Sequence, residues 1–189
     1  RPGSLFARDD AILYEMSMET EAQKMPYFKY QGKSVFYTEY GRGTPVLFLH
    51  GNTSSSKMLE PLMPLYTGQF RCILIDFLGN GRSDRVECFS SDIWYEEGLQ
   101  AIALAEHLPY GKTFLVGTSG GAWAAIHAAL ERPDLFRAVI ADSSDGRNLH
   151  DHFADHLQAE RSAAKADPQS RAFYAWCQGP DWETIVDLD

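Results

Sequence analysis

The stretch Thr113–Leu130, TFLVGTSGGAWAAIHAAL, decides the fold of this chain. It begins with the apolar run Thr113–Val116 and ends as an alanine-rich segment, and the turn Gly117–Gly121 joins the two. Aromatic and β-branched residues favour a buried strand, whereas alanine favours a helix. The sequence therefore predicts a strand that enters a helix through a tight glycine turn, with Ser119 at its apex.

The turn has the pattern G-x-S-x-G between a strand and a helix, which is typical of a nucleophilic serine. Glycine at 117 and 121 permits a turn that is too tight for side chains near the serine. Ser119 would then project over the end of the sheet, where the N-terminus of the next helix favours developing negative charge. The alternative is a glycine-rich turn with an idle serine, and the sequence on both sides favours the nucleophile.

Three further runs predict buried strands: Val46–Leu49 and Ala138–Ala141 are apolar throughout, and Cys72–Asp76 is apolar up to its final aspartate. A continuous apolar run, unlike an alternating one, suits a strand that is covered on both faces of a parallel sheet. Ligands bind at the carboxyl ends of the strands in such sheets. The polar groups that we expect to cluster at this edge are His50-Gly51-Asn52, Asp76, Ser119 and Asp142.

A β-hairpin is predicted at Tyr27–Tyr30 and Ser34–Tyr40, which are rich in aromatic and β-branched residues. A helix is predicted over Asp92–Leu108, and a second one, shortened or broken by its prolines, after Thr53–Ser56. Strands and helices thus alternate along the chain. The predicted fold class is α/β: a mostly parallel sheet with an N-terminal β-hairpin and helices on both faces.

The chain changes character after Asp142. Residues 150–166 and Ser170–Gln178 have helical patterns with no further strand, and they predict the start of a helical lid. We expect an N-terminal extension at 1–26, a core at 27–145 and an incomplete lid or cap segment at 146–189. The aromatic residues that suggest an apolar pocket roof, or equally the packing of the lid itself, are Phe153, Phe173, Tyr174 and Trp176.

Composition excludes several classes of partner. The net charge is −9 and the basic residues are scattered, which argues against nucleic acid and mildly against anionic membranes. No apolar stretch reaches the length of a membrane span. The three cysteines, an odd number, predict a reducing, cytoplasmic compartment without a disulfide framework. We expect a small-molecule substrate and neither a cofactor nor a metal; the oligomeric state stays open.

Three motifs then coincide: HGN at His50–Asn52, D-x-x-G-x-G-x-S at Asp76–Ser83 and G-x-S-x-G at Gly117–Gly121. Together they resemble the α/β-hydrolase superfamily, in its lid-bearing branch of esterases, peptidases and related small-molecule hydrolases. The resemblance is close over residues 27–145 and loose in the tail. It implies a hydrolase that cleaves a small ester, amide or other acyl substrate.

The resemblance also implies a role for each matched residue. Ser119 matches the nucleophile, and the backbone N–H groups of Gly120 and Asn52 match the oxyanion hole. His50 and Gly51 match residues that shape the oxyanion loop, and the turn that begins at Asp76 is structural. Relatives that resemble dehalogenases or epoxide hydrolases carry aspartate where Ser119 stands, so acyl-enzyme rather than alkyl-enzyme chemistry is implied.

The acid and the base are less clear. Family members place the serine, the acid and the histidine in that chain order. Asp142 is the candidate acid, against a loop or cap role, and Asp145 is a weaker one. The histidine is expected after Asp189, so we expect a piece of a longer protein, with ~80–100 residues absent by comparison with typical domain sizes. The strand at 138–141 would then be an uncovered apolar edge.

The other histidines have ordinary explanations. His107 suits the end of a helix, and His127 suits packing on the elbow helix. His152 and His156 are one helical turn apart, so a metal pair is conceivable, but a solvated helix face is favoured. A lid histidine that acts as the base would be geometrically unusual.

Two alternatives to a serine esterase stay open. A carbon–carbon bond hydrolase or a cofactor-free haloperoxidase would show the same three motifs. A binding or signalling protein without activity would not need an exposed serine at a tight turn.

Overall fold

The computed structural model describes residues 26–144 and 151–189, and the statements below concern those residues. The strands are β1 (Tyr27–Tyr30), β2 (Lys33–Tyr40), β3 (Thr44–Leu49), β4 (Phe70–Asp76), β5 (Thr113–Thr118) and β6 (Phe136–Asp142). They form one six-stranded sheet of order β1-β2-β4-β3-β5-β6. Strand β3 runs parallel to β4 and β5, and β5 runs parallel to β6, whereas β1, β2 and β4 are joined by antiparallel pairs. The predicted fold class is therefore confirmed.

The hairpin between β1 and β2 turns at Gln31 and Gly32, whose φ angles are 48° and 81°. Two consecutive residues in the left-handed region match the twist of the flanking strands. The predicted hairpin is confirmed.

Five α-helices lie in the described residues: α1 (Ile93–His107), α2 (Gly120–Glu131), α3 (Phe153–Ala166), α4 (Pro168–Gln178) and α5 (Trp182–Leu188). Asp167 separates α3 from α4 and caps α4 by accepting a hydrogen bond from the Ser170 N–H at 2.7 Å. Helix α5 was not predicted. Its buried Trp182, Ile185 and Val186 have helical spacing, which is the signal that could have found it.

The segment after Thr53 forms two 3₁₀ turns, Ser56–Met58 and Glu60–Leu65, rather than an α-helix. Pro61 and Pro64 have no N–H to donate, so a regular α-helix would lose hydrogen bonds here.

The sheet has a packed core on each face. On one face Leu47, Ile73 and Leu115 pack against α1 and α2. On the other face Phe48 and Leu74 pack against the 3₁₀ turns. The central strands are covered on both sides, as their continuous apolar runs predict.

Strand β6 differs from its prediction. Its apolar run predicts burial on both faces, but Ile140 is 61% exposed. In the part of the chain that the structure describes, β6 pairs with β5 alone. Within the described residues its outer edge has no partner strand, which agrees with the uncovered apolar edge expected above. An apolar unpaired edge is a site for pairing with another strand.

Glu97 on α1 is a buried carboxyl. It is 4% exposed, and this burial raises its pKa well above the usual range, with Asp189 acting in the same direction. The folded protein therefore favours the protonated, neutral form of Glu97.

We expect the substitution Glu97→Gln to remove a pH dependence of stability. In the unfolded chain the carboxyl ionises above about pH 4.5, whereas in the folded protein it stays protonated. Wild type should therefore lose stability relative to the variant as the pH rises from about 4.5 to the raised pKa. The slope should reach about 1.4 kcal/mol per pH unit. Urea unfolding of both proteins between about pH 5 and 8 measures it, and parallel profiles would contradict it.

Among the described residues, none of the helices combines the length and the apolar character needed to cross a membrane.

Candidate active site

The backbone of Ser119 is held in an unusual conformation at the junction of β5 and α2. Its φ is 54° and its ψ is −124°, a region that L-residues occupy only when the surroundings enforce it. Its N–H donates to the carbonyl of Asp142 at 2.9 Å, and its carbonyl accepts from the Ala122 N–H at 2.9 Å. The side chain is exposed above the sheet edge. The turn therefore has the strand–serine–helix geometry that the sequence predicts.

The glycines around Ser119 are required by close backbone contact. A Cβ on Gly117 would overlap the carbonyl oxygen of Gly121, and a Cβ on Gly121 would overlap that of His50. A Cβ on Gly51 would lie 3.0 Å from the Cβ of Ser119. The glycine turn and the HGN loop are thus packed against each other.

The side chain of Asn52 is fixed beside the start of α2. Its Oδ1 accepts from Trp94 Nε1 at 2.8 Å, and its Nδ2 donates to Asp189 Oδ1 at 2.8 Å. A Cβ on Gly120 would overlap this Oδ1. Gly120 is the first residue of α2, and N–H groups in the first turn have no acceptor within a helix. Sequence reasoning did not find Trp94 and Asp189, because nothing in their spacing marks them as partners of Asn52.

His50 links β3 to β4 below this loop. Its Nε2 accepts from the Phe77 N–H at 3.1 Å, so Nδ1 carries the proton and donates to the Gly51 carbonyl at 2.8 Å. Burial lowers the pKa of His50, although Asp76 opposes this effect. Both ring nitrogens are used by the backbone and the ring is fully buried. These contacts agree with the structural role expected for His50.

Asp76 organises the glycine turn that follows β4. Its carboxylate accepts from the Ser56 N–H at 2.7 Å and from the Arg82 N–H at 2.8 Å. The Ser83 hydroxyl donates to the Asp76 carbonyl and accepts from the Phe36 N–H at 2.8 Å. The D-x-x-G-x-G-x-S motif is therefore a hydrogen-bonded turn whose residues hold the neighbouring loops in place.

Asp142 lies beside Ser119 through its backbone. Its exposed carboxylate accepts from the Thr118 hydroxyl at 3.3 Å and from the Ser143 hydroxyl at 3.2 Å. Within residues 26–144 and 151–189 the carboxylate of Asp142 forms its side-chain hydrogen bonds with these two hydroxyls. The role of Asp142 as the catalytic acid therefore stays a prediction. Asp145 and His150 lie outside the described residues.

A cavity of about 380 Å³ lies between the sheet edge and the lid helices. From the core it is lined by Ser119, Asn52 and two tryptophans, Trp94 and Trp123, whose rings stack with their centroids 5.7 Å apart. These residues come from the turn after β5, the loop after β3, α1 and α2. The fold has thus brought the predicted nucleophile and the predicted oxyanion residues to one cavity.

The lid contributes the opposite wall. Phe153 and Tyr174 line the cavity, and Phe153 packs edge-on against Trp94 at 6.3 Å. Two other aromatic residues predicted for the roof, Phe173 and Trp176, are 39% and 45% exposed and do not line it.

Among the described histidines, His156 lines this cavity. Its side chain is also exposed, as expected for a solvated helix face. At this residue the solvated face therefore also forms part of the cavity wall. His152 is exposed, and its Nδ1 lies 3.5 Å from Asp155 Oδ2.

His107 is the last residue of α1, as expected, and its ring also packs on Phe28, with ring centroids 5.7 Å apart. The ring of His127 on α2 packs edge-on against Tyr95, with centroids 5.6 Å apart, which agrees with the packing role expected of His127.

The C-terminal end of α4 is tied to the loops that carry the motifs. Ser55 Oγ donates to the Cys177 carbonyl at 2.9 Å, and Lys57 Nζ donates to the Trp176 carbonyl at 2.8 Å. Arg85 donates to the Gln178 carbonyl at 2.7 Å. These side chains satisfy carbonyls that have no partner within the helix. They also fix the lid segment over the core.

Arg85 and Gln178 extend this attachment. Arg85 binds both carboxylate oxygens of Asp181, at 2.8 and 2.9 Å. The Gln178 amide accepts from the Gly81 N–H at 2.7 Å and donates to the Ser54 carbonyl at 2.9 Å. One glutamine thus joins the lid to the loop after β3 and to the glycine turn after β4.

Comparison with known proteins identifies the family that shares this fold. The sequence profile of the family described as alpha/beta hydrolase fold matches residues 44–180, well over half of the chain. The chain is 39% identical over 103 residues to the 2-(acetamidomethylene)succinate hydrolase of Mesorhizobium japonicum, covering 54% of this chain and 36% of that protein. It is 30% identical over 107 residues to haloalkane dehalogenase 2 of Mycobacterium tuberculosis, covering 56% of this chain and 37% of that protein.

Solved structures give the same result. A hydrolase from Pseudomonas aeruginosa PA01 superposes with a TM-score of 0.66 at 15% identity, covering 89% of this chain and 74% of that one. E-2-(acetamidomethylene)succinate hydrolase superposes with a TM-score of 0.60 at 30% identity, covering 74% and 52%. The chain spans little more than a third of the length of the two curated relatives. With the matched profile and the elbow geometry together, the chain belongs to the α/β-hydrolase fold family.

Proposed function

We propose that this chain carries the nucleophile half of a serine hydrolase, which cleaves a small ester, amide or other acyl substrate through an acyl-enzyme on Ser119. The observation that carries the proposal is the strained, exposed Ser119 at the start of α2, beside Gly120 and the Asn52 loop. A residue is kept in such a conformation only where the surrounding structure over-determines it.

The chemistry follows from these groups. The Ser119 hydroxyl attacks the acyl carbon as a base takes its proton, and the carbonyl oxygen becomes an oxyanion. Its collapse breaks the ester or amide bond and releases the alcohol or amine, which takes up the proton, and water then hydrolyses the acyl-enzyme to the acid. The backbone N–H groups of Gly120 and Asn52 are the proposed donors to that oxyanion. One such donor typically contributes about 3–4 kcal/mol to lowering the barrier. The base is not assigned to a described residue, because the family's chain order places the histidine after the acid.

The relatives support the hydrolase class more broadly than they support one reaction. Their names include a hydrolase of an acetamidomethylene succinate and haloalkane dehalogenases. Serine at the elbow favours acyl transfer, because its hydroxyl forms an ester with an acyl group.

The free cysteines, of which Cys72 and Cys177 are buried and Cys88 is exposed, support the proposed cytoplasmic location. Residues 27–145 are the proposed core, and residues 146–189 form the proposed lid.

A fluorophosphonate probe tests the nucleophile directly. In the intact protein we expect one adduct on the peptide that contains Ser119, and none in the Ser119→Ala variant. Absence of the adduct in folded wild-type protein would favour a binding protein without activity. Turnover of a panel of simple acyl esters, compared with vinylogous diketones, then separates the esterase from the carbon–carbon bond hydrolase.

The substitution Trp94→Phe tests the support of the oxyanion loop. It removes the 2.8 Å hydrogen bond to Asn52 but keeps an aromatic ring against Trp123. We expect kcat to fall about 10-fold with little change in KM, since a lost hydrogen bond is worth about 1 kcal/mol and a shifted loop adds to this. Steady-state kinetics with an acyl ester measures it. Trp176→Phe, at an exposed lid position, is the matched control, and an unchanged kcat in Trp94→Phe would contradict the role of the indole.

A further inference from the structure

The lid places one arginine in the wall of the Ser119 cavity. Arg161 lies on α3, lines this cavity, and its side chain is 13% exposed. Within residues 26–144 and 151–189 its guanidinium makes one hydrogen bond, from a terminal nitrogen to Asp189 Oδ2 at 3.1 Å. Its Nε is buried and has no hydrogen-bond partner in the same residues. A guanidinium has five N–H donors, so most of its binding capacity is unused.

Asp189 pairs with one donor of Arg161 and leaves the others without a partner among the described residues. The carboxylate of Asp189 is 1% exposed, and only one of its oxygens bonds to Arg161, because the other accepts from Asn52 Nδ2 at 2.8 Å. Glu160 also lines the cavity, but it is exposed to solvent, where its charge is screened. A largely buried guanidinium, most of whose donors have no partner in the part of the chain that the structure describes, therefore lines the same cavity as the nucleophile.

We propose that Arg161 binds a carboxylate of the substrate, so that the acyl compounds cleaved at Ser119 are anionic and carry a free carboxylate besides the scissile bond. This inference rests on the proposed function, since it concerns the same cavity. The planar guanidinium matches a carboxylate through two parallel N–H donors, and such pairs are strong where water is scarce. The carboxylate fixed at Arg161 places the rest of the substrate between the Trp94 wall and Ser119.

The test measures binding without turnover. In the Ser119→Ala background, isothermal titration compares monomethyl glutarate with methyl 5-oxohexanoate, two esters that differ in a carboxylate against a methyl ketone. We expect the anionic ester to bind about 10- to 100-fold more tightly. Adding Arg161→Gln should reduce this ratio to about one. Arg161→Lys, which keeps the charge but not the planar fork, should retain part of it.

Arg171→Gln is the matched control. Arg171 lies on α4, is exposed, and pairs with Glu183 at 3.5 Å, so its loss should leave the ratio unchanged. Equal binding of the two esters before Arg161 is changed would overturn the proposal. Equal weakening of both esters by Arg161→Gln and by Arg161→Lys would also overturn it, because it would assign Arg161 to holding the lid through Asp189.

The result is separable from the test of the nucleophile. Binding is measured without the Ser119 hydroxyl, whereas the fluorophosphonate adduct needs that hydroxyl and no substrate carboxylate. Charge-selective binding without an adduct would contradict the acyl-enzyme but support the carboxylate site. An adduct without charge-selective binding would do the reverse.

Discussion

Replacing Ser119 by alanine in the intact protein should lower kcat for acyl esters by about 10⁴- to 10⁶-fold while leaving the fold unchanged. The hydroxyl is the only part of the residue removed, and the backbone hydrogen bonds to Asp142 and Ala122 do not depend on it. Small side chains at an exposed apex carry little packing energy. Steady-state kinetics and thermal unfolding of the same preparations measure the two effects.

Ser162→Ala provides the matched control. Ser162 is an exposed serine on α3 whose hydroxyl bonds to the carbonyl of Gln158 within the same helix. Its removal should leave kcat within about twofold of wild type, because the residue does not line the Ser119 cavity. Substantial residual hydrolysis in Ser119→Ala, at a rate well above that of the uncatalysed reaction, would refute the acyl-enzyme proposal.

Replacing Gly117 by alanine should destabilise the protein by about 3 kcal/mol or more. The new Cβ would overlap the carbonyl of Gly121, and that carbonyl belongs to the first turn of α2. Backbone cannot move aside as a flexible side chain can, so β5 and α2 would have to separate. Urea unfolding measures the free-energy change, and fluorophosphonate labelling of Ser119 should weaken in parallel.

Gly68→Ala is the matched control for Gly117→Ala. Gly68 has no atom within 4 Å of the position of a new Cβ, and neither Gly68 nor Gly117 has a positive φ. The two substitutions therefore add the same methyl group and differ in available space. We expect Gly68→Ala to stay within about 1 kcal/mol of wild type. A similar small effect for Gly117→Ala would show that the elbow is not as tightly packed as the structure indicates.

Much of the fold could be predicted because its signals are local. The glycine turn at Gly117–Gly121 and the apolar run of β3 each identify themselves within a few residues. The glycine requirement has the same origin, since contact between residues four apart is decided inside the turn. The faces of β6 are more exposed than its apolar run predicts, because the cover over a strand depends on how distant segments pair and pack.

The candidate site likewise has residues that local motifs identify and residues that they do not. The sequence marked Ser119, Gly120 and Asn52 through motifs, but their support came from elsewhere in the chain. Trp94 and Asp189 hold the Asn52 side chain across 42 and 137 residues of sequence separation. No periodicity encodes such a contact, because it depends on how α1 and α5 pack around the loop.

An α/β core with a serine at a tight turn follows from local sequence, since glycine spacing and apolar runs act over a few residues. The surroundings of that serine depend instead on how distant segments pack. The stacked tryptophans, the lid residue His156 and the largely buried Arg161 meet at one cavity because separate elements pack together. Side-chain burial and pairing in that cavity are properties of the assembled fold, and no local sequence pattern encodes them.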